Sequence, residues 1–416
     1  MKNIINLLSM GSGRIAQAAI SFIAVSIVAR HVSVEELGVY SIILALFAYA
    51  SLFSDFGLRS IITSEWNRKQ QNHEEVIVTY FVLRLALSLI ICCVGSGLVG
   101  GFYPEYLTIV LVVLISTFFI SLQLDWYLIV SERYLAASWV LVLRTASYLF
   151  FIGVLIYIDE VSLQTLAFAF LLSWCFFSAG SWLSVKSKVT VISMSNFSFQ
   201  KARYLVKRGW PVMAVSIIGQ AILNLDLIFI GKIFGAEKAA HYYVASAIIV
   251  AGMVFSNALT QISLGKMSKY IDDKNKFNQQ LITDIKLALV VAVFLSLLVI
   301  FIGRPLIPIA FGTEYEESAA LLIYFIPFFV ISHVTGIVTS CLITINLQKQ
   351  LMYINLIRLS GLFLCLYLLT TFTQYIGWVA LMKALVDFIV IILMLWCYKY
   401  RYPPLVGLKK ESHVEA

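Results

Sequence analysis

The sequence predicts an all-α polytopic membrane protein of about 12 transmembrane helices, set out as two six-helix lobes. Three observations lead there. Of 416 residues, 61% are hydrophobic and only 12% are charged, whereas a soluble domain carries roughly 45–50% apolar and about 25% charged residues. The apolar residues fall in long runs, and roughly 20 of them suffice to cross a hydrocarbon layer about 30 Å thick. The runs lack the alternating pattern of a barrel strand, so the backbone must satisfy its own hydrogen bonds as helix.

The runs place spans near 12–30, 38–60, 76–100, 106–128, 136–157, 163–185, 210–233, 241–264, 284–303, 318–342, 353–373 and 376–397. The first run contains Arg14 and continues to about Val28 without a signal-type cleavage site, which predicts a retained first helix. Connections are short. The longest is polar and basic, carrying Lys186, Lys188, Lys201, Arg203, Lys207 and Arg208. It divides the chain into an N-terminal lobe (1–190), a basic cytoplasmic linker (191–209), a C-terminal lobe (210–398) and a cytoplasmic tail (399–416). The loop from Arg304 to Glu317 is the longest expected on the opposite side.

Orientation follows from Lys and Arg in the loops. With a cytoplasmic N-terminus, nineteen of the thirty Lys and Arg lie on the cytoplasmic side and four on the other (Arg30, Lys232, Lys238 and Arg304). Both termini are then cytoplasmic, and the net charge of +8 reflects basic loops beside anionic lipid, with no nucleic acid needed. The six cysteines all fall in apolar runs without CxxC spacing. They read as small apolar side chains, neither disulfides nor metal ligands.

Shifting the first half by 202 residues aligns it with the second. Arg30, Glu35 and Tyr40 meet Lys232, Glu237 and Tyr242. Arg84-Leu85-Ala86-Leu87 meets Lys286-Leu287-Ala288-Leu289, and Gly101 meets Gly303. Beyond this the offset is 214, and Arg144 meets Arg358. Two halves of six spans keep the same topology, so the repeats are parallel, as in transporters that bind substrate between two rocking lobes.

Ionisable residues inside spans cost about 2.5–3.5 kcal/mol each on insertion scales and mark function by default. Arg14, Arg84, Arg144, Asp226, Arg358, Lys383 and Asp387 lie within spans; Asp55, Arg59, Asp125 and Lys286 lie nearer span ends. Bases outnumber acids at the deep positions, which suits an anionic substrate held in a cationic cavity. Arg14, Arg84, Arg144, Lys286 and Arg358 are the substrate-binding candidates, with snorkelling to the surface as the alternative for Arg84 and Lys286 above all. Asp226, Lys383, Asp387 and His333 are the candidates for ion coupling. Lys383 and Asp387, spaced four apart, alternatively neutralise one another. Asp226 alternatively joins a polar seam with Gln220 and Asn224, and His333 a helix-packing hydrogen bond. Asp55 and Arg59 are expected as a structural pair, and Pro327 as a kink that forms a gate. No catalytic or metal-ligating residue is proposed: GxxxxGK[ST] and HExxH are both missing from the sequence, and no cofactor is expected.

The stretch Val32-Ser33-Val34-Glu35-Glu36-Leu37-Gly38-Val39-Tyr40-Ser41, followed by Phe53-Ser54-Asp55-Phe56-Gly57-Leu58, resembles the first two helices of Wzx-type O-antigen flippases. These are polysaccharide transporters of the MOP exporter superfamily. Gly235-Ala236-Glu237-Lys238-Ala239-Ala240-His241-Tyr242 repeats the pattern. The resemblance implies a V-shaped, MATE-like alternating-access fold in the bacterial inner membrane. It implies transfer of undecaprenyl-diphosphate-linked oligosaccharide to the periplasmic leaflet, driven by a proton or sodium gradient. It further implies a glycan polymerase and a chain-length regulator as partners, besides the lipid bilayer itself. By position it makes Arg84, Arg144, Lys286 and Arg358 cavity residues. A multidrug exporter of the same superfamily is the alternative, although its cationic substrates call for acids in the cavity. A membrane-embedded glycan polymerase is a further one, disfavoured by the short non-cytoplasmic loops.

Overall fold

The computed structural model describes residues 2–66, 73–185, 197–271, 273–372 and 375–401, and among these there is no strand. The helices in order are α1 (Lys2–Ala29), α2 (Val34–Asp55), α3 (Leu58–Glu65), α4 (His73–Phe102), α5 (Leu107–Ser121), α6 (Asp125–Val130), α7 (Tyr134–Tyr157) and α8 (Leu163–Val185). They continue as α9 (Phe199–Phe234), α10 (Ala236–Met267), α11 (Lys274–Leu298), α12 (Arg304–Phe311), α13 (Glu316–Thr344), α14 (Gln348–Phe372) and α15 (Gly377–Arg401). Among the described residues, twelve stretches are long and apolar enough to cross a membrane. The chain is a multi-pass α-helical membrane protein, as expected.

The expected span boundaries change in four places, each for a local reason. α2 starts on a capping box: the Glu36 amide donates to Ser33 Oγ at 3.2 Å, and the Ser33 amide donates to the Glu36 carboxylate at 2.9 Å. Two amides that a helix start leaves unpaired are thereby satisfied. The helix stops at Asp55 instead of running to 60, because Phe56 and Gly57 adopt φ of 48° and 71°. Glycine takes that conformation at little cost. The turn lies on α9, where a Cβ on Gly57 would stand 2.7 Å from Val212 Cβ.

The fourth span is broken between α5 and α6 at Leu122–Leu124. The backbone groups freed there are taken up by α8: the Leu124 amide donates to Ser181 Oγ at 3.1 Å, and the Trp182 indole donates to the Leu122 carbonyl at 2.7 Å. Within a membrane such compensation is obligatory.

α9 is capped by Ser198, whose Oγ accepts from the Lys201 amide at 3.3 Å. Residues 199–209 of the expected linker are therefore helix, while 191–196 lie outside the described residues. The expected tail lies outside them from 402 onward.

The ninth span begins at Lys274, not near 284, and the expected loop from Arg304 to Glu317 is largely helical. α11 passes through a π-helical turn (Val299–Gly303) into α12. Pro305 opens α12, where its missing N–H costs nothing, and Gly312 at φ 115° ends it. Arg30 closes the far end, donating from Nε to the Ala310 carbonyl at 2.8 Å and from Nη2 to the Ile309 carbonyl. A cation on terminal carbonyls also complements the helix dipole.

The helices gather into two compact units, Met1–Ala251 with Ile302–Leu322 and Gly252–Phe301 with Ile323–Ala416. In the first, α1 packs on α7, α7 on α8, α8 on α5 and α5 on α4, while α2 lies against α4, α5 and α9. Gly38 permits the start of α2 to meet α10, because a Cβ there would lie 1.8 Å from the Ala236 carbonyl oxygen. In the second unit α14 packs on α15, and Met267, Phe277, Ala288, Val338 and Met394 are among the residues that form a core.

Candidate functional site

In the first unit, four charges on different elements cancel. Arg84 is 2% exposed. Its Nη1 donates to the Tyr80 hydroxyl at 2.6 Å, and its Nη2 lies 3.3 Å from Asp55 Oδ1. Arg59 pairs with Asp125 at the start of α6. The expected pairing of Asp55 with Arg59 is thus replaced by two longer-range pairs. The turn at Phe56 and Gly57 breaks the helical register that would have set residues four apart on one face. The result ties α2 to α4 and α3 to α6.

In the second unit, Arg358 of α14 grips Asp387 of α15 with its fork. Nε donates to Oδ1 at 2.6 Å, and Nη2 donates to Oδ2. Asp387 is buried, as is Lys383 one turn earlier, whose ammonium lies 4.8 Å from the Phe328 ring centroid. His333 is buried; its Nδ1 donates to the Phe329 carbonyl at 2.9 Å, and its ring stands edge-on to Phe329. α13 continues through Pro327 without a break. Lys286 on α11 is exposed, and so is Arg14 on α1 of the first unit.

Arg144 differs from both arginine pairs. It is half-buried on α7, with its guanidinium carbon 4.6 Å from the Trp174 ring centroid of α8. Among the described residues no carboxylate pairs with it. One turn along α7, the Tyr148 hydroxyl shares a 2.8 Å hydrogen bond with the Tyr40 hydroxyl of α2. Tyr243 of α10 is within electrostatic reach of both. Farther along the same unit, Tyr242 donates to Asp226 Oδ2 at 2.6 Å, and Tyr49 lies near that carboxylate. A planar cation with a free hydrogen-bonding edge suits a phosphate. The indole face and tyrosine hydroxyls around it suit the apolar faces and hydroxyls of sugar rings.

Two residues escaped the sequence reading. Trp174 is one aromatic among many on an apolar helix, and nothing in its spacing marks it as the platform for Arg144. Asp284 is buried on α11, accepting from Ser263 Oγ at 2.6 Å and from Gln280 Nε2 at 2.8 Å. A ninth span that begins near 284 puts Asp284 at its edge; the Gln280–Asp284 spacing of four is the signal that the sequence carries.

The polysaccharide biosynthesis protein family matches residues 27–320 of the chain. The chain belongs to this family. The capsular polysaccharide biosynthesis protein CapF of Staphylococcus aureus is 22% identical over 320 residues, which is 74% of this chain and 77% of CapF. Among solved structures, the inward closed lipid II flippase MurJ matches with a TM-score of 0.74 and 12% identity over 94% of this chain and 87% of MurJ. An inward-facing multidrug resistance MATE transporter of the MOP superfamily matches with a TM-score of 0.69 and 14% identity over 91% and 93%. This member of the polysaccharide biosynthesis family therefore has the fold of the MOP-superfamily transporters. The stretch from Val32 to Leu58 has structural causes here: Ser33 and Glu36 cap α2, Gly38 admits α10, and Gly57 makes the turn that separates Asp55 from Arg59.

Proposed function

We propose that the chain is a flippase, not an enzyme. It carries an undecaprenyl-diphosphate-linked oligosaccharide, an O-antigen repeat unit or similar, from the cytoplasmic to the periplasmic leaflet of the bacterial inner membrane. Membership of a polysaccharide biosynthesis family and the transporter fold support the class, as do a CapF named for capsular polysaccharide and a MurJ named as a lipid II flippase. The observation that carries the reading is Arg144, a cation inside a membrane unit that stacks on Trp174 and among the described residues meets no carboxylate. A diphosphate cannot enter hydrocarbon uncompensated, because stripping ionic groups of water costs several kcal/mol or more. A fixed guanidinium offsets that cost, and the hydroxyls beside it take the place of the sugar's water.

In this proposal both termini are cytoplasmic, a reading supported by the bias of Lys and Arg among the loops, and the halves on either side of the 191–209 stretch alternate access. An inside-negative potential favours outward transfer of an anion by roughly 2.3 kcal/mol per charge per 100 mV. Resetting is assigned to a proton or sodium gradient. Asp226, which accepts from the Tyr242 hydroxyl, is the coupling candidate in the first unit. Asp387 is already engaged by Arg358, which makes it the weaker one.

Rescue of a flippase-deleted bacterium carrying the matching glycan cluster tests this. Wild type restores surface glycan. Arg144→Ala, at normal membrane level, lowers it about tenfold or more, the scale of one charge-assisted hydrogen bond of about 1.5–3 kcal/mol. A wild type that leaves precursor inside the cell refutes the assignment.

A further inference from the structure

A deep furrow runs along α4 in the first unit, walled by α2 and α5, with a volume of about 660 Å³. Its lining is apolar from Leu87 to Phe102, a distance of about 22 Å at 1.5 Å per residue. Ile90, Val94 and Leu98 are each about half exposed along it.

The two ends carry different charge. At the Leu87 end, Arg84 is balanced by Asp55 and Arg59 by Asp125. At the Phe102 end, Tyr103 lines the furrow and Lys232 of α9 donates to its hydroxyl at 2.7 Å, the ammonium 5.4 Å from the ring centroid. Among the described residues Lys232 meets no carboxylate. The furrow thus opens at one end onto a cation that lacks a counter-ion.

The equivalent helix face in the other half is shaped differently. The repeat sets Leu289, Val293 and Leu297 where Leu87, Ile91 and Gly95 stand, and that face of α11 holds only a shallow hollow of about 370 Å³. Gly95 leaves room on this face of α4, since a Cβ on it would stand 2.6 Å from Leu114 Cδ1, and the walls from α2 and α5 add depth.

We propose that this furrow holds the polyprenyl chain of the delivered glycolipid, with the diphosphate against Lys232 and Tyr103 on the side away from the basic loops. The inference rests on the flippase reading and adds a docking place for the product. A single furrow accepts one chain, which a polyprenyl lipid brings and a two-chain phospholipid does not. Aromatic rings at Phe47, Phe53 and Phe102 offer faces to its methyl branches.

The test uses the full chain in phosphatidylcholine vesicles with undecaprenyl diphosphate bearing a photoreactive diazirine, and maps the adducts by mass spectrometry. Adducts are expected on α4 between Leu87 and Phe102. Val94→Trp and Leu98→Trp, each confirmed monodisperse, fill the furrow and remove them; Gly95→Leu, which copies the other half, serves if either is unstable. Lys232→Gln lowers labelling about fivefold, the effect of one lysine beside an anionic headgroup. Excess undecaprenyl phosphate competes and excess phosphatidylglycerol does not. Equal competition by phosphatidylglycerol, or adducts that survive the filled furrow, overturns the proposal. Because the readout is binding, a protein that labels but does not flip sinks the proposed function alone, and one that flips without labelling sinks only the furrow.

Discussion

Arg144 and Arg358 stand at equivalent positions of the internal repeat, yet among the described residues only Arg358 meets a carboxylate. Arg358 Nε lies 2.6 Å from Asp387 Oδ1, whereas Arg144 lies over Trp174. At the same offset of 214, Ser173 stands where the second half has Asp387. One cation is held by a carboxylate of its own fold, and the other lies against an indole ring.

The neutralised arginine should behave as structure. Arg358→Ala takes the guanidinium from buried Asp387, and Asp387→Ala takes the carboxylate from partly buried Arg358, effects of up to about 3–5 kcal/mol. Replacing both with leucine recovers much of the loss, since a well-packed apolar pair is often as stable as a buried ion pair. Thermal unfolding of the purified protein checks this. Single variants as stable as wild type that nevertheless stop transport would move the pair into the mechanism.

Arg84 should follow Arg358 and not Arg144. It is buried against Tyr80 and Asp55, so Arg84→Ala lowers the amount of folded protein in the membrane, while Arg144→Ala leaves that amount unchanged and lowers transport. Quantified membrane levels of the two variants decide it; equal levels with equal loss of transport would count against a structural role for Arg84.

Spans were legible because the length of an apolar run is set by the bilayer, and twelve were read correctly. Breaks inside spans were less visible. Leu122 to Leu124 is apolar throughout, and its separation of α5 from α6 depends on Ser181 and Trp182 of another helix. Arg304, Pro305 and Pro308 look like a loop, yet a π-turn and Arg30 let them form α12. Charged residues stood out by rarity, but their partners did not: Asp125 for Arg59 and Trp174 for Arg144 are tertiary choices that spacing along one helix does not encode.

The motif residues yield a graded stability series. Ser33→Ala removes the capping oxygen from α2 and costs about 1 kcal/mol. Gly38→Ala sets a methyl 1.8 Å from the Ala236 carbonyl and should cost more, because two backbones must part. Gly57→Ala adds left-handed strain and a contact with Val212. Unfolding midpoints in detergent should fall least for Ser33→Ala and most for Gly38→Ala; a reversed order would mean that the close approach of α2 to α10 is not what Gly38 serves.

The central claim is that this chain moves a lipid-linked saccharide across a bilayer using the free charge of Arg144. The most direct measurement reconstitutes purified protein into vesicles containing an undecaprenyl-diphosphate-linked saccharide and follows, over time, how much becomes accessible to an impermeant glycosidase. Wild type should expose the inner-leaflet pool faster than empty vesicles, and Arg144→Ala should lose most of that gain while remaining folded. Equal exposure with and without the protein would contradict the flippase, and full activity in Arg144→Ala would contradict the site.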